Sequence, residues 1–184
     1  MNTHMIPGNP ASWYVSPDSE GRLGPGFTAH DLFQDGIGRV FKLVQLDSAL
    51  ASNTTAAGQT LVYKTTGQLV TNDVSTGLDT TNPLAAGVVL GAIGEAGSST
   101  ATATTARFIL VLVEGWLESC VTTGTVNIGD TVSASPSTDG AVAAIVISGT
   151  YSANEVIKAV QSKVGWATTA AASNVASLFV KIPN

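Results

Sequence analysis

Arg107-Phe108-Ile109-Leu110-Val111-Leu112-Val113-Glu114-Gly115-Trp116-Leu117 is the stretch that decides the fold. It is dense in β-branched and aromatic residues, and it shows no alternation of apolar and polar positions. A strand with one wet face alternates, so this run predicts a central strand buried on both faces. Its apolar core, Phe108 to Val113, is strand length and far short of the roughly 20 residues of a membrane-spanning helix. Gly115 predicts a bulge or bend, because glycine inside a strand adds no packing and frees the backbone.

Working outward, Arg39-Val40-Phe41-Lys42-Leu43-Val44-Gln45-Leu46 reads as a second strong strand. Leu61 to Lys64 follows a turn at Ala57-Gly58, and Leu69-Val70 is placed to return as a hairpin. Thr71 to Thr81 is rich in turn residues, and Gly97 to Thr105 reads as an exposed low-complexity loop. Ile128 to Ser135 and Ala141 to Ile147 flank Pro136 to Gly140, and Asp139-Gly140 predicts a hairpin there. Asn154 to Val164 fits either a short helix or a strand; we favour a strand running into Val164-Gly165-Trp166-Ala167. Val175 or Leu178 to Ile182 closes the chain as a strand. Many short strands with turn signals between them predict an all-β fold. The expectation is a small β-barrel or β-sandwich domain over residues 39–184.

Residues 1–38 break this pattern. Pro7, Pro10, Pro17 and Pro25 remove backbone donors, and six glycines raise chain entropy, so regular structure is not sustained. The expectation is an extended, irregular N-terminal arm. A solvated tail has no reason to carry large apolar groups. Trp13, Tyr14, Phe27, Leu32 and Phe33 are therefore the candidate partner-binding anchors, docking on their own domain or on a neighbour.

The 184 residues suit one domain plus an arm, and a hydrophobic fraction of 44% argues against a disordered chain. Charged residues make up only 11%, against about 25% in a typical soluble domain. A surface so poor in charge must be covered by Thr, Ser, Asn, Gly and backbone or by another subunit; we favour the second, hence a homo-oligomer or lattice component. A formal charge of −5 with 8 scattered basic residues argues against nucleic-acid binding. No basic-then-apolar leader and no long apolar run is visible, so assembly in the cytoplasm with no membrane contact is the expectation.

Reactive groups are few. His4 and His30 both lie in the arm, without a Cys, Glu or second His at metal-ligand spacing. No Gly-x-Ser-x-Gly nucleophile elbow occurs. Asp73 and Asp79 sit among turn residues and read as turn caps. Glu114 and Glu118 flank Gly115-Trp116, and acids beside a Trp suit a sugar site or a glycosidase pair. Gly87, Gly91, Gly94 and Gly97 miss the phosphate-loop spacing and read as tight packing or bulges. The single Cys120 reads as an inert small apolar residue. No catalytic residue, metal or cofactor is expected, and the chain reads as a non-enzyme.

Several features in their order resemble a known family. They are Val40-Phe41-Lys42-Leu43-Val44, the Ala-Gly turn into Leu61-Val62-Tyr63-Lys64, and Ala85-Ala86-Gly87-Val88-Val89. Leu112-Val113-Glu114-Gly115 comes next, then Ile128-Gly129-Asp130-Thr131-Val132 with Asp139-Gly140-Ala141, and Val164-Gly165-Trp166-Ala167. From about Arg39 onward this resembles the small β-barrel decoration, or cement, proteins of tailed-bacteriophage capsids. The resemblance implies a structural virion protein, often a trimer, that binds the outer surface of an assembled capsid and stabilises it. Its implied partners are the major capsid protein and itself. Two other classes compete: a tail- or fibre-type β-domain binding cell-surface glycan through Trp116 and Trp166, and a small hydrolase using Glu114 and Glu118.

Overall fold

The computed structural model describes residues 3–5, 14–15, 30–47, 50, 54–64, 69–81, 83–90, 100–102, 108–146 and 153–183. The first strands are β1 (Thr3–Met5), β2 (Tyr14–Val15), β3 (Leu32–Gln34), β4 (Val40–Leu46) and β5 (Thr54–Ala56). β6 (Thr60–Tyr63), β7 (Leu69–Thr71), β8 (Ala85–Val88), β9 (Thr100–Thr102) and β10 (Phe108–Val121) follow. The chain continues through β11 (Thr131–Ala134), β12 (Val142–Ala144), helix α1 (Ala153–Gln161), β13 (Lys163–Ala167) and β14 (Val175–Lys181). The protein is nearly all-β, as the sequence predicts.

Strands β4, β7, β6, β8 and β10 are neighbours in that order, and β10 pairs again with β4, which closes a five-stranded barrel. From β10 the sheet continues outward through β14, β13, β11 and β12. β10 serves both parts because it is 14 residues long. Residues Phe108 to Glu114 pair with β4, and Glu114 to Val121 pair with β14.

The apolar run in β10 is buried throughout from Phe108 to Val113. Its odd positions, Ile109, Val111 and Val113, belong to one core with Val44, Leu46, Leu61 and Val70 from the barrel strands and Val89 just after β8. Its even positions, Phe108, Leu110 and Leu112, belong to a second core with Phe41, Val132, Val164, Leu178 and Val180. Successive side chains point to opposite faces, so a strand between two cores has no wet face and needs no alternation. Gly87 lets β8 lie close to β10: a Cβ there would sit 2.2 Å from Val111 Cγ2.

The structure corrects the sequence reading in three places. Residues 153–161 form a helix, not the favoured strand. Thr100–Thr102, inside the expected loop, pairs with β5 as a separate two-stranded sheet. The arm is also not irregular throughout. β3 pairs with β4, β1 pairs with β3, and β2 pairs with β10, so the sheet begins well before Arg39.

The β3–β4 turn explains why the sheet takes in Leu32-Phe33-Gln34. Asp35 Oδ1 accepts from the amides of Ile37 (3.1 Å) and Arg39 (2.9 Å), and its Oδ2 accepts from Arg39 Nε (2.7 Å). Burial alone would raise the Asp35 carboxyl; the Arg39 guanidinium and these amides outweigh it and hold the group below the usual carboxylate range. A carboxyl whose pKa is lower folded than unfolded stabilises above the unfolded value near 3.9, and the gain is lost as pH falls through the folded value. Asp35→Asn is therefore expected to cost about 1–2 kcal/mol at neutral pH. The gap to the parent should shrink as pH drops below the carboxylate range, checked by urea unfolding at the two pH values.

Candidate functional site

β10 changes character at Gly115. Its φ is +128°, and a Cβ there would lie 2.7 Å from Arg39 Cγ, so only glycine lets the strand bend past Arg39. Beyond the bend β10 has left β4, and its burial alternates: Trp116 and Glu118 are exposed while Leu117 is buried. β14 alternates in the same way, with Phe179 and Lys181 outward and Leu178 and Val180 inward. In β13, Trp166 faces out between the buried Gly165 and Ala167.

Register then brings these residues together. Trp116 is opposite Phe179, and Phe179 is opposite Trp166. Directly opposite residues share a face, with Cβ atoms about 5 Å apart. Three aromatic side chains thus form a row across β10, β14 and β13, and they are 49%, 40% and 37% exposed in that order. The Trp166 and Phe179 rings touch, with centroids 6.1 Å apart and planes tilted by 39°.

Polar groups rim the row. Glu114, opposite Lys181, forms an ion pair with it on one side. On the other side Glu118 is exposed, and its carbonyl accepts from Ser177 Oγ at 2.8 Å. Lys163 Nζ lies 3.5 Å from the Trp166 ring centroid, and burial lowers the pKa of this ammonium. In α1, Val156, Ile157 and Val160 are also exposed. Val160 and Lys163 line one cleft with Glu114 and Lys181, so this end of the helix lies beside the charged rim of the row. Aromatic groups within a polar rim are the anatomy of a contact surface.

The anchors expected in the arm fare differently. Trp13 and Phe27 lie outside the described residues. Tyr14 stands in β2 opposite Ile109. Leu32 is half-buried against the barrel core, and Phe33 is fully buried in the second core. Phe33 is thus a core residue of its own domain, because pairing of β3 with β4 sets it opposite Phe41.

The chemistry-bearing residues are also placed. Asp73 caps a short 3-10 turn by accepting from Ser75 N (2.9 Å), and Asp79 accepts from Thr81 N (2.9 Å), as turn capping predicts. Glu114 and Glu118 share a face with Trp116, but Glu114 is engaged by Lys181. Burial pushes the Cys120 thiol up to about 12, so at neutral pH it stays protonated and inert. Burial, and then Lys42, lower the His30 pKa, which favours the neutral ring. Among the described residues no three His, Cys, Asp or Glu side chains gather as a metal site, and no helix is long and apolar enough to cross a membrane.

The sequence singles out Trp116 and Trp166 but not Phe179, Lys163 or the helix face. The alternation Ala176, Leu178, Val180 against Phe179 and Lys181 was a usable signal for an outward ring on the last strand. Comparison with known proteins found no matching family profile and no matching curated protein.

Proposed function

We propose that this chain is a structural virion protein of the capsid-decoration type, binding the outer surface of an assembled phage capsid and stabilising it. On this reading it acts through surfaces that hold other proteins and performs no chemical step. Its partners are the major capsid protein and further copies of itself, a trimer being the family expectation. The observation that carries the reading is the exposed aromatic row and helix face on a chain with only 11% charged residues. Large apolar patches rimmed by polar groups mark protein contact sites. The order of strand motifs from Arg39 onward and the small barrel agree with it. Repeated over many copies on a shell, weak contacts become firm through avidity.

The arm is the proposed capsid contact. Phe33 belongs to the core, so a fair deletion removes Met1 to Ala29 and keeps β3. The shortened chain loses the short β1 and β2 but is expected to keep a cooperative urea transition and to lose co-sedimentation with capsids that lack the native protein. Full binding by the shortened chain would take the arm out of the account.

A further inference from the structure

We propose that the outer face of β10, β14 and β13 is a two-fold self-docking surface, on which the Trp116–Phe179–Trp166 row crosses the same row of a second copy at Phe179. The inference rests on the reading of the chain as a self-associating structural protein, and it names the surface and a two-fold pairing, a contact distinct from the three-fold one that a trimer would use.

Charge placement argues for a second copy. β10 and β13 both run antiparallel to β14. Glu118 follows Trp116 at one edge of the row, and Lys163 precedes Trp166 at the other edge, so the two charges occupy diagonally opposite corners. Glu118 is exposed and has no ion-pair partner among the described residues, and Lys163 contacts an indole ring but no carboxylate there. A two-fold axis lying in the face, through Phe179 and across that diagonal, brings Glu118 to Lys163 of the partner subunit. The same operation makes the reciprocal pair, as an isologous interface requires. Glu114 and Lys181 neutralise each other within the subunit and bring no unpaired charge to the contact.

Size argues the same way. At about 150–250 Å² for each aromatic residue, the exposed fractions of the three rings sum to roughly 200–300 Å² of surface. Val160, which is exposed and lines a cleft with Lys163, adds apolar area at that corner. That is an adequate apolar centre for an interface at the small end of the range, where about 800 Å² per partner is standard. The association is therefore expected to depend on concentration.

The test is sedimentation equilibrium of the full chain and of its charge variants across micromolar concentrations. Glu118→Lys and Lys163→Glu are each expected to weaken self-association at least about tenfold, because each sets like charges together. The double reversal should restore it. Near-UV circular dichroism and urea unfolding show that each variant is folded, and Trp116→Ala gives a second, uncharged break of the surface. Self-association unchanged in all of these variants would overturn the inference while leaving the structural reading intact. A folded chain that stays monomeric would also overturn it, and indole fluorescence responding to chitohexaose in that monomer would assign the row to glycan. Loss of capsid binding without loss of self-association would instead strike the proposed function alone.

Discussion

Replacing Phe33 by alanine is expected to lower the unfolding free energy by about 3–5 kcal/mol, the usual cost of emptying a buried aromatic site. Phe33 has no exposed surface, and it shares a core with Phe41, Phe108, Leu110 and Leu112. It lies opposite Phe41 in the β3–β4 pair, so its loss leaves a cavity between paired strands rather than a free end. Urea or thermal unfolding of the isolated protein measures this directly. If stability is unchanged and only partner binding falls, Phe33 is an arm anchor after all and β3 is not part of the working fold.

Gly87→Ala is expected to cost about 3 kcal/mol or more, at or beyond the upper end of overpacking penalties. The new methyl would sit 2.2 Å from Val111 Cγ2, 2.5 Å from Val111 Cβ and 3.2 Å from the Leu112 carbonyl oxygen. β8 and β10 must separate to make room, and both are staves of the barrel. Adding Val111→Ala removes one of the colliding atoms. The double variant should then be less destabilised than the sum of the two single changes, a coupling read from a double-mutant cycle. A stability close to the parent for Gly87→Ala alone would mean that β8 does not lie where the barrel requires it.

The fold was legible where local pattern and tertiary burial agree. β10 announced itself because a strand between two cores is apolar at every position. The β11–β12 hairpin was visible through Asp139-Gly140, where Gly140 takes φ +66°. Leu32 to Gln34 was hidden by the Pro- and Gly-rich residues before it, although Asp35-Gly36 is itself a turn signal into the next strand. α1 is not distinguished from a strand by its sequence, because Val156, Ile157 and Val160 are β-branched and suit a strand. Their spacing nevertheless places all three on one helix face, which here points outward. β9 carried no signal, since threonine and alanine alternate there without an apolar face.

The candidate site was half legible. Trp116 and Trp166 stood out as large rings in a polar, small-residue background. That they share one row was not readable, because β14 sits between them and register across three strands is set by long-range pairing. Phe179 carries no signal of its own in the sequence, and its outward place follows from alternation with the buried Leu178 and Val180.

The most direct test of the account is saturable binding of the purified full chain to genome-filled phage capsids prepared without it, with occupancy counted by cryo-electron microscopy. The account predicts extra density at a fixed set of sites on the outer capsid surface, filling in proportion to added protein until it saturates. A folded chain that leaves the capsid surface bare at saturating concentration would contradict it.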